Sequence, residues 1–163
     1  MDYLEIIRSQ YLAALEMLKH AISTCPPAVW NDPADMSRSW YVAYHALFFT
    51  HYYLQDSEAD FEVWQGHWDE ANPELPDMNA GYTQADLLDY LSFCQQEVNR
   101  KVPALNPEAA AGFARRNMNK FELQIYSIRH IMQHAGELME RNGTRAGVEG
   151  IWWGGHEAEL RRA

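Results

Sequence analysis

Basic residues are scarce in this chain of 163 residues, and no segment concentrates them. Thirteen Lys and Arg stand against 23 Asp and Glu, which leaves a formal net charge of −10. Non-specific binding to nucleic acid or to an anionic lipid surface requires clustered Lys and Arg. We therefore expect neither nucleic acid nor a membrane among the partners of this protein.

Long apolar runs and cysteines are scarce as well. The longest apolar run, residues 40–49, includes a histidine and is far shorter than the roughly 20 residues that cross a bilayer. Cys25 and Cys94 form no CxxC pair, which argues against a zinc–thiolate knot or a dithiol redox site and leaves a single disulfide open. The first residues lack the pattern of a signal peptide, so we expect a reduced, cytoplasmic protein.

Apolar residues make up 47% of the chain and aromatic residues 13%, which excludes a disordered protein. The length suits one domain over residues 1–163. Apolar residues recur at steps of three and four between residues 3 and 23, which predicts a first helix. Asp2 is its expected cap, and Pro26 and Pro27 prevent its continuation. A second helix, aromatic nearly all round, is predicted over residues 37–55.

Two further helices are predicted in the second half of the chain. The third begins at Thr83, with Asp86 three residues later, and ends at Pro103. After a capped turn at residues 106–108, the fourth is expected over residues 117–141, with a left-handed stop at residues 142–143. Two tryptophans at residues 152–153 are expected to cover one end of the helices.

The connection between the second and third helices, residues 56–77, contains eight acidic residues and no Lys or Arg. The connection is expected to be a solvated crossover, although a long loop of this kind can also form a lid or an oligomer contact. Its large apolar side chains predict that it packs against the helices: Phe61, Trp64, Trp68 and Leu75. The sequence thus predicts an all-α fold, a four-helix bundle with a long crossover between helices two and three.

Three of the seven histidines can meet at one point. His130 and His134 are four residues apart on the fourth helix, so both imidazoles can reach a common ion. His45 lies in the middle of the second helix. If these helices are neighbours, the three histidines form the ligand set of a catalytic zinc site with an open fourth position. The alternative is that they are ordinary packing or surface histidines.

Other sites of this kind are not supported by the spacing. The chain has no ExxH pair of a ferritin-like di-iron bundle, no HExxH and no GxSxG, and no glycine loop for phosphate. The remaining histidines are expected to be structural or to face solvent: His20, His51, His67 and His156.

Glu137 lies on the same helical face as the histidine pair, one turn further along. It can be a hydrogen-bond partner of a metal-ligating histidine, a fourth ligand, a general base, or a surface carboxylate. A glycine inside a helix is unfavourable, so Gly136 predicts a close approach of a helix or ligand. Tyr41, Tyr44 and Arg129 are further residues within possible reach of the site.

The most specific marks of a family resemblance are residues 39–45 (SWYVAYH) and residues 128–138 (IRHIMQHAGEL). The chain resembles the DinB-like superfamily of metal-dependent enzymes over essentially its whole length. The resemblance implies that His45, His130 and His134 are the metal ligands, that the metal is zinc or nickel, and that the chain forms a homodimer. Many relatives carry a histidine directly before the last ligand, where this chain has Gln133.

Two functions follow as hypotheses. In the first, the chain is a hydrolase or a low-molecular-weight-thiol transferase that acts on a small molecule, as the resemblance implies; a divalent ion with an open position would activate water or a thiol. In the second, it is a non-catalytic helical-bundle interaction protein whose histidines, or whose metal, are structural.

Overall fold

The computed structural model describes residues 2–67 and 81–155, whose regular structure is helical. The helices are α1 (Tyr3–Ser23), α2 (Pro27–Trp30), α3 (Ser39–Tyr53), α4 (Gln84–Lys101) and α5 (Lys120–Ala146). Short 3₁₀ turns lie at Glu58–Asp60 and Val102–Ala104. Within the described ranges there is no β-strand, only an isolated bridge between Ala110 and Asn119. The predicted all-α class is confirmed.

The helices begin where side chains satisfy their free N–H groups. Asp2 accepts from the N–H groups of two residues in the first turn of α1, and Thr83 and Asp86 form a reciprocal capping box on α4. Both starts agree with the prediction. The helix α5 begins three residues later than predicted, because Asn119, not Asn117, caps it. The helix α3 is shorter at each end than the predicted span of residues 37–55.

The predicted stop of α5 at residues 142–143 is wrong. The Asn142 side chain is buried, and its Nδ2 donates to the carbonyl of Ala21 on α1 at 2.9 Å. The helix therefore continues through Gly143 and ends at Ala146, and the residue that follows, Gly147, has a left-handed φ of 67°. A tertiary hydrogen bond thus turns a typical stop signal into part of the helix interior.

The four long helices pack around the main apolar core, and a smaller apolar cluster surrounds Phe113. The helix α1 contacts α4 and α5, and α3 contacts the same two helices. The predicted stripe of α4 is fully buried and consists of Leu87, Leu91, Cys94 and Val98. Cys25 and Cys94 are both buried and free, so the disulfide that the sequence left open is not formed. No described helix is long and apolar enough to cross a membrane.

The described part of the acidic connection packs down as predicted. The Phe61 ring lies 5.2 Å from Phe48, and the Trp64 ring stacks on Tyr90 with 4.5 Å between centroids. The same prediction for Trp68 and Leu75 concerns residues outside the described ranges.

The segment between α4 and α5 folds over the C-terminal end of α3. Lys120, the first residue of α5, holds this segment against α3, because the Lys120 Nζ atom donates to the carbonyls of Gln55 and Asp56 at 2.7 and 2.6 Å. The predicted turn at residues 106–108 is present and does not extend into a helix. Near the end of the described chain, Trp153 packs against the core, whereas Trp152 is 73% exposed, so the prediction that both tryptophans cover the helices holds for one.

Alanine at the two glycines near the end of α5 should have opposite effects. Gly143→Ala should stabilise the protein by up to ~1 kcal/mol, because Gly143 is helical and a Cβ there would meet its nearest neighbour at 3.4 Å. Gly147→Ala should destabilise it by ~1 kcal/mol, because Gly147 is left-handed. Urea denaturation of both variants tests this, and the reverse order would place the helix end at residues 142–143.

Candidate metal centre

Two helices bring three histidine side chains to one point. His45 comes from α3, and His130 and His134 come from successive turns of α5. The Nε2 atom of His130 lies 3.2 Å from Nε2 of His45 and 3.1 Å from Nε2 of His134. All three ligand atoms lie within 4.8 Å of one another, and no other such group of His, Cys, Asp or Glu occurs in the described ranges.

Hydrogen bonding does not account for this convergence. The Nε2 atom of a neutral imidazole offers either one N–H or one lone pair. His130 Nε2 faces two other Nε2 atoms, so neutral rings can form a full hydrogen bond across only one of the two contacts. A cation accepts all three lone pairs, and the ligand nitrogens of a tetrahedral zinc site are ~3.3 Å apart. The two observed Nε2 separations fit that spacing.

The protonation states also suit a metal ion. Burial lowers the pKa of His45 below its ordinary value, and the neighbouring His134 lowers it further. Burial lowers the pKa of His130 to about 4, and the two other imidazoles contribute in the same direction. At neutral pH these two rings are therefore neutral, and their lone pairs are available to a ligand-seeking cation.

Glu137 lies behind His134. Its Oε2 atom is 3.2 Å from His134 Nδ1, and its Oε1 atom accepts from Arg141 Nη2 at 3.1 Å. In the tautomer that keeps Nε2 free, His134 Nδ1–H donates to this carboxylate, which fixes the ring orientation. Arg141 also donates to the carbonyl of Ser37 at 2.8 Å, ahead of α3. Of the roles considered for Glu137, this position fits a hydrogen-bond partner of a metal-ligating histidine.

Aromatic rings surround the three imidazoles. The Phe49 centroid lies 4.8 Å from that of His45 and 5.7 Å from that of His130. Tyr126 is stacked on His130, with 6.4 Å between centroids and 6° between planes. Tyr41, one of the residues expected near the site, lies 6.3 Å from His45 and is half exposed. The rings limit how far the imidazoles can rotate.

Two expectations about the site, those for Tyr44 and Gly136, are wrong. Tyr44 turns away from it, with its hydroxyl 2.6 Å from His67 Nδ1 and its ring stacked on Tyr82. Arg129, in contrast, is exposed and lines a surface pocket together with Tyr126 and His130. No heavy atom of another residue lies within 4 Å of a Cβ built on Gly136, so the expected close approach of a helix is not present.

Several residues of the site escaped the sequence reasoning. Tyr126 and Arg141 stand four residues from His130 and Glu137, so the helical period could have found them. Arg116 donates to the Tyr126 hydroxyl at 3.1 Å and comes from the irregular segment before α5. No pattern in the sequence places a loop residue of this kind.

The other described histidines are held by protein groups, as expected. His20 Nε2 lies 2.9 Å from the carbonyl of Glu149, and His51 Nδ1 lies 3.3 Å from the Tyr90 hydroxyl. His67 contacts Tyr44, and His156 lies outside the described ranges. These histidines thus have structural partners away from the three-histidine cluster.

No family model, curated protein or solved structure matches this chain. The resemblance to the DinB-like superfamily therefore stays a prediction. The interpretation of the site rests on its own geometry, in which three imidazole nitrogens face one point between α3 and α5.

His51 should make stability depend on pH. Burial lowers its pKa to about 4, against an ordinary value near 6.5 in the unfolded chain. Between pH 4 and pH 6.5 His51 is protonated in the unfolded chain but neutral in the folded protein. The stability that neutral His51 provides is therefore complete above pH 6.5 and is lost as pH falls towards 4. From pH 7 to pH 5, metal-free wild-type protein should lose more unfolding free energy than His51→Gln. An NMR titration midpoint near 6.5 for His51 would contradict the assignment.

Proposed function

We propose that this chain is a metal-dependent enzyme in which His45, His130 and His134 bind one divalent ion, zinc or nickel. The observation that carries the proposal is the convergence of three Nε2 atoms with contacts of 3.1 and 3.2 Å that neutral rings cannot satisfy among themselves. The proposed architecture is a DinB-like four-helix bundle with a long crossover between α3 and α4. The packing of α1 and of α3 on both α4 and α5 supports this arrangement.

The proposed reaction is hydrolysis or the transfer of a low-molecular-weight thiol to a small-molecule substrate. A divalent ion held by three imidazoles acidifies a bound water or thiol, so that a nucleophile is available at neutral pH. No carboxylate or cysteine joins the three Nε2 atoms in the described ranges, which leaves a coordination position for that molecule. Glu137 holds His134 in the ligand tautomer.

The chain's own thiols are poor candidates for the nucleophile. Cys25 and Cys94 are both buried, and burial raises the pKa of each thiol. A thiol reaction would therefore use a free, small thiol as co-substrate. The proposal further includes a homodimer in the cytoplasm. It includes no nucleic-acid or membrane partner, and the net charge of −10 supports that part of the proposal.

A non-catalytic interaction protein is the second candidate function, and exposed apolar side chains favour it. Tyr3 and Ile6 on α1 are 63% and 47% exposed, and Ile125 on α5 is 40% exposed. Tyr3 and Ile6 are three residues apart and so share one face of α1, and an exposed apolar face is typical of protein contacts. In this function the histidine cluster would be structural, with or without a metal.

Elemental analysis of the untagged protein tests the proposed metal site. We expect about one equivalent of zinc or nickel per chain, and its loss in His45→Ala, His130→Ala and His134→Ala, because each substitution removes one of three ligands. His20→Ala is the matched control and should keep the metal, since the His20 ring is hydrogen-bonded to the Glu149 carbonyl and is not part of the histidine cluster. A parent protein that stays metal-free after incubation with excess zinc or nickel would favour the interaction protein.

Glu137→Gln should weaken metal binding by about 10- to 100-fold without abolishing it, because it removes the charge that orients His134. Competition with a chromophoric chelator measures the affinity. Glu140→Gln, which changes an exposed carboxylate on the same helix, is the control and should bind as the parent does. Equal affinities for the Glu137 variant and the parent would show that the carboxylate does not support the ligand.

A further inference from the structure

A cavity of about 570 Å³ is lined by the C-terminal half of α3, by Glu58 and by the segment before α5. This volume is in the range of small-molecule sites. Five of its lining residues are aromatic: Phe48, Phe49, Tyr52, Tyr53 and Phe113. Phe49 also contacts His45 and His130, so a single ring forms the boundary between this cavity and the histidine cluster.

Arg116 lines this cavity and has no carboxylate partner among the described residues. Its Nη2 atom donates to the hydroxyls of Tyr53 and Tyr126 at 2.8 and 3.1 Å. Its guanidinium lies over the Tyr126 ring, 4.7 Å from the centroid, and its Nε–H is buried without a hydrogen-bond partner. Nη2 therefore uses both of its hydrogens on the two tyrosines. Nη1 donates to the carbonyl of Arg115 at 3.5 Å and keeps its second hydrogen for a charge-assisted hydrogen bond to a ligand carboxylate.

The remaining charges of the cavity favour a single negative charge on the ligand. Arg115 and Glu58 also line it, and Glu58 accepts from the backbone N–H of Ala114 at 3.2 Å. That N–H, the Tyr52 hydroxyl and Arg115 lower the pKa of Glu58, which stays ionised at neutral pH. Two guanidinium groups and one carboxylate leave a local charge of +1, in a chain whose total is −10. A monoanion would neutralise this local charge, whereas a dianion such as phosphate would leave an excess negative charge beside Glu58.

We propose that this cavity binds a small monocarboxylate with an aromatic body, its carboxylate on Arg116 and its ring among the aromatic side chains. Its role as a substrate site rests on the proposed function, because the ligand would lie against Phe49 and therefore beside the histidines. Its preference for a carboxylate does not depend on a metal.

Fluorine NMR of the metal-free protein tests the preference, with 4-fluorophenylacetate and its neutral amide as the probes. We expect the acid to bind at least about tenfold more tightly than the amide, since a charge-assisted guanidinium–carboxylate pair forms only with the acid. Arg116→Gln should abolish the difference, and Arg116→Lys should retain part of it. Arg145→Gln, which changes an exposed arginine near the C-terminal end of α5, should behave as the parent.

Equal binding of acid and amide, no binding of either, or an unchanged preference in Arg116→Gln would overturn the proposal. Far-UV circular dichroism of each variant separates lost recognition from lost folding, and the partial preference of Arg116→Lys confirms that charge is recognised.

A second measurement tests whether the bound acid lies beside the three histidines. With Co²⁺ added, fluorine relaxation of the bound acid should increase, and the increase should vanish in His130→Ala. Bound Co²⁺ without a relaxation effect would overturn the substrate role. If no Co²⁺ binds, the proposed metal function fails, while the acid–amide comparison in metal-free protein still decides whether the cavity recognises carboxylates.

Discussion

The packing of α3 against α5 is the contact on which the candidate site depends. It places His45 opposite His130 and His134 and partly removes the three rings from water. Burial makes a positive charge on an imidazole unfavourable, so His45 and His130 stay neutral. The same packing therefore brings three nitrogens together and gives their lone pairs too few hydrogen-bond donors. A bound cation can accept these lone pairs instead.

Two sets of contacts outside the cluster hold this arrangement. On one side, Arg141 joins Glu137 to the segment ahead of α3, so the carboxylate behind His134 is fixed to both helices. On the other side, Tyr126 stacks on His130 and is hydrogen-bonded by Arg116. Because these contacts cross from helix to loop, they restrict the imidazoles more than the helix backbone alone would.

The distribution of charge, more than its total, bears on function. The chain carries a net −10, and much of this lies in the connection over residues 56–77. In the aromatic cavity that Phe49 lines, however, the two positive charges of Arg115 and Arg116 exceed the single negative charge of Glu58. A polyanion meets the overall negative field, whereas a small monoanion within the cavity meets the local positive charge at short range, where screening by salt is weakest.

The sequence alone determined the helical class, the starts of α1 and α4, and the candidacy of three histidines, because caps, apolar periods and i,i+4 spacing are local properties of a chain. It misplaced the end of α5, since Asn142 is held in the helix by a hydrogen bond to Ala21, 121 residues away. Only the tertiary structure turned Tyr44 away from the site and placed Arg116 near it. Contacts of this kind depend on which helices meet, and no local pattern in the chain specifies that choice.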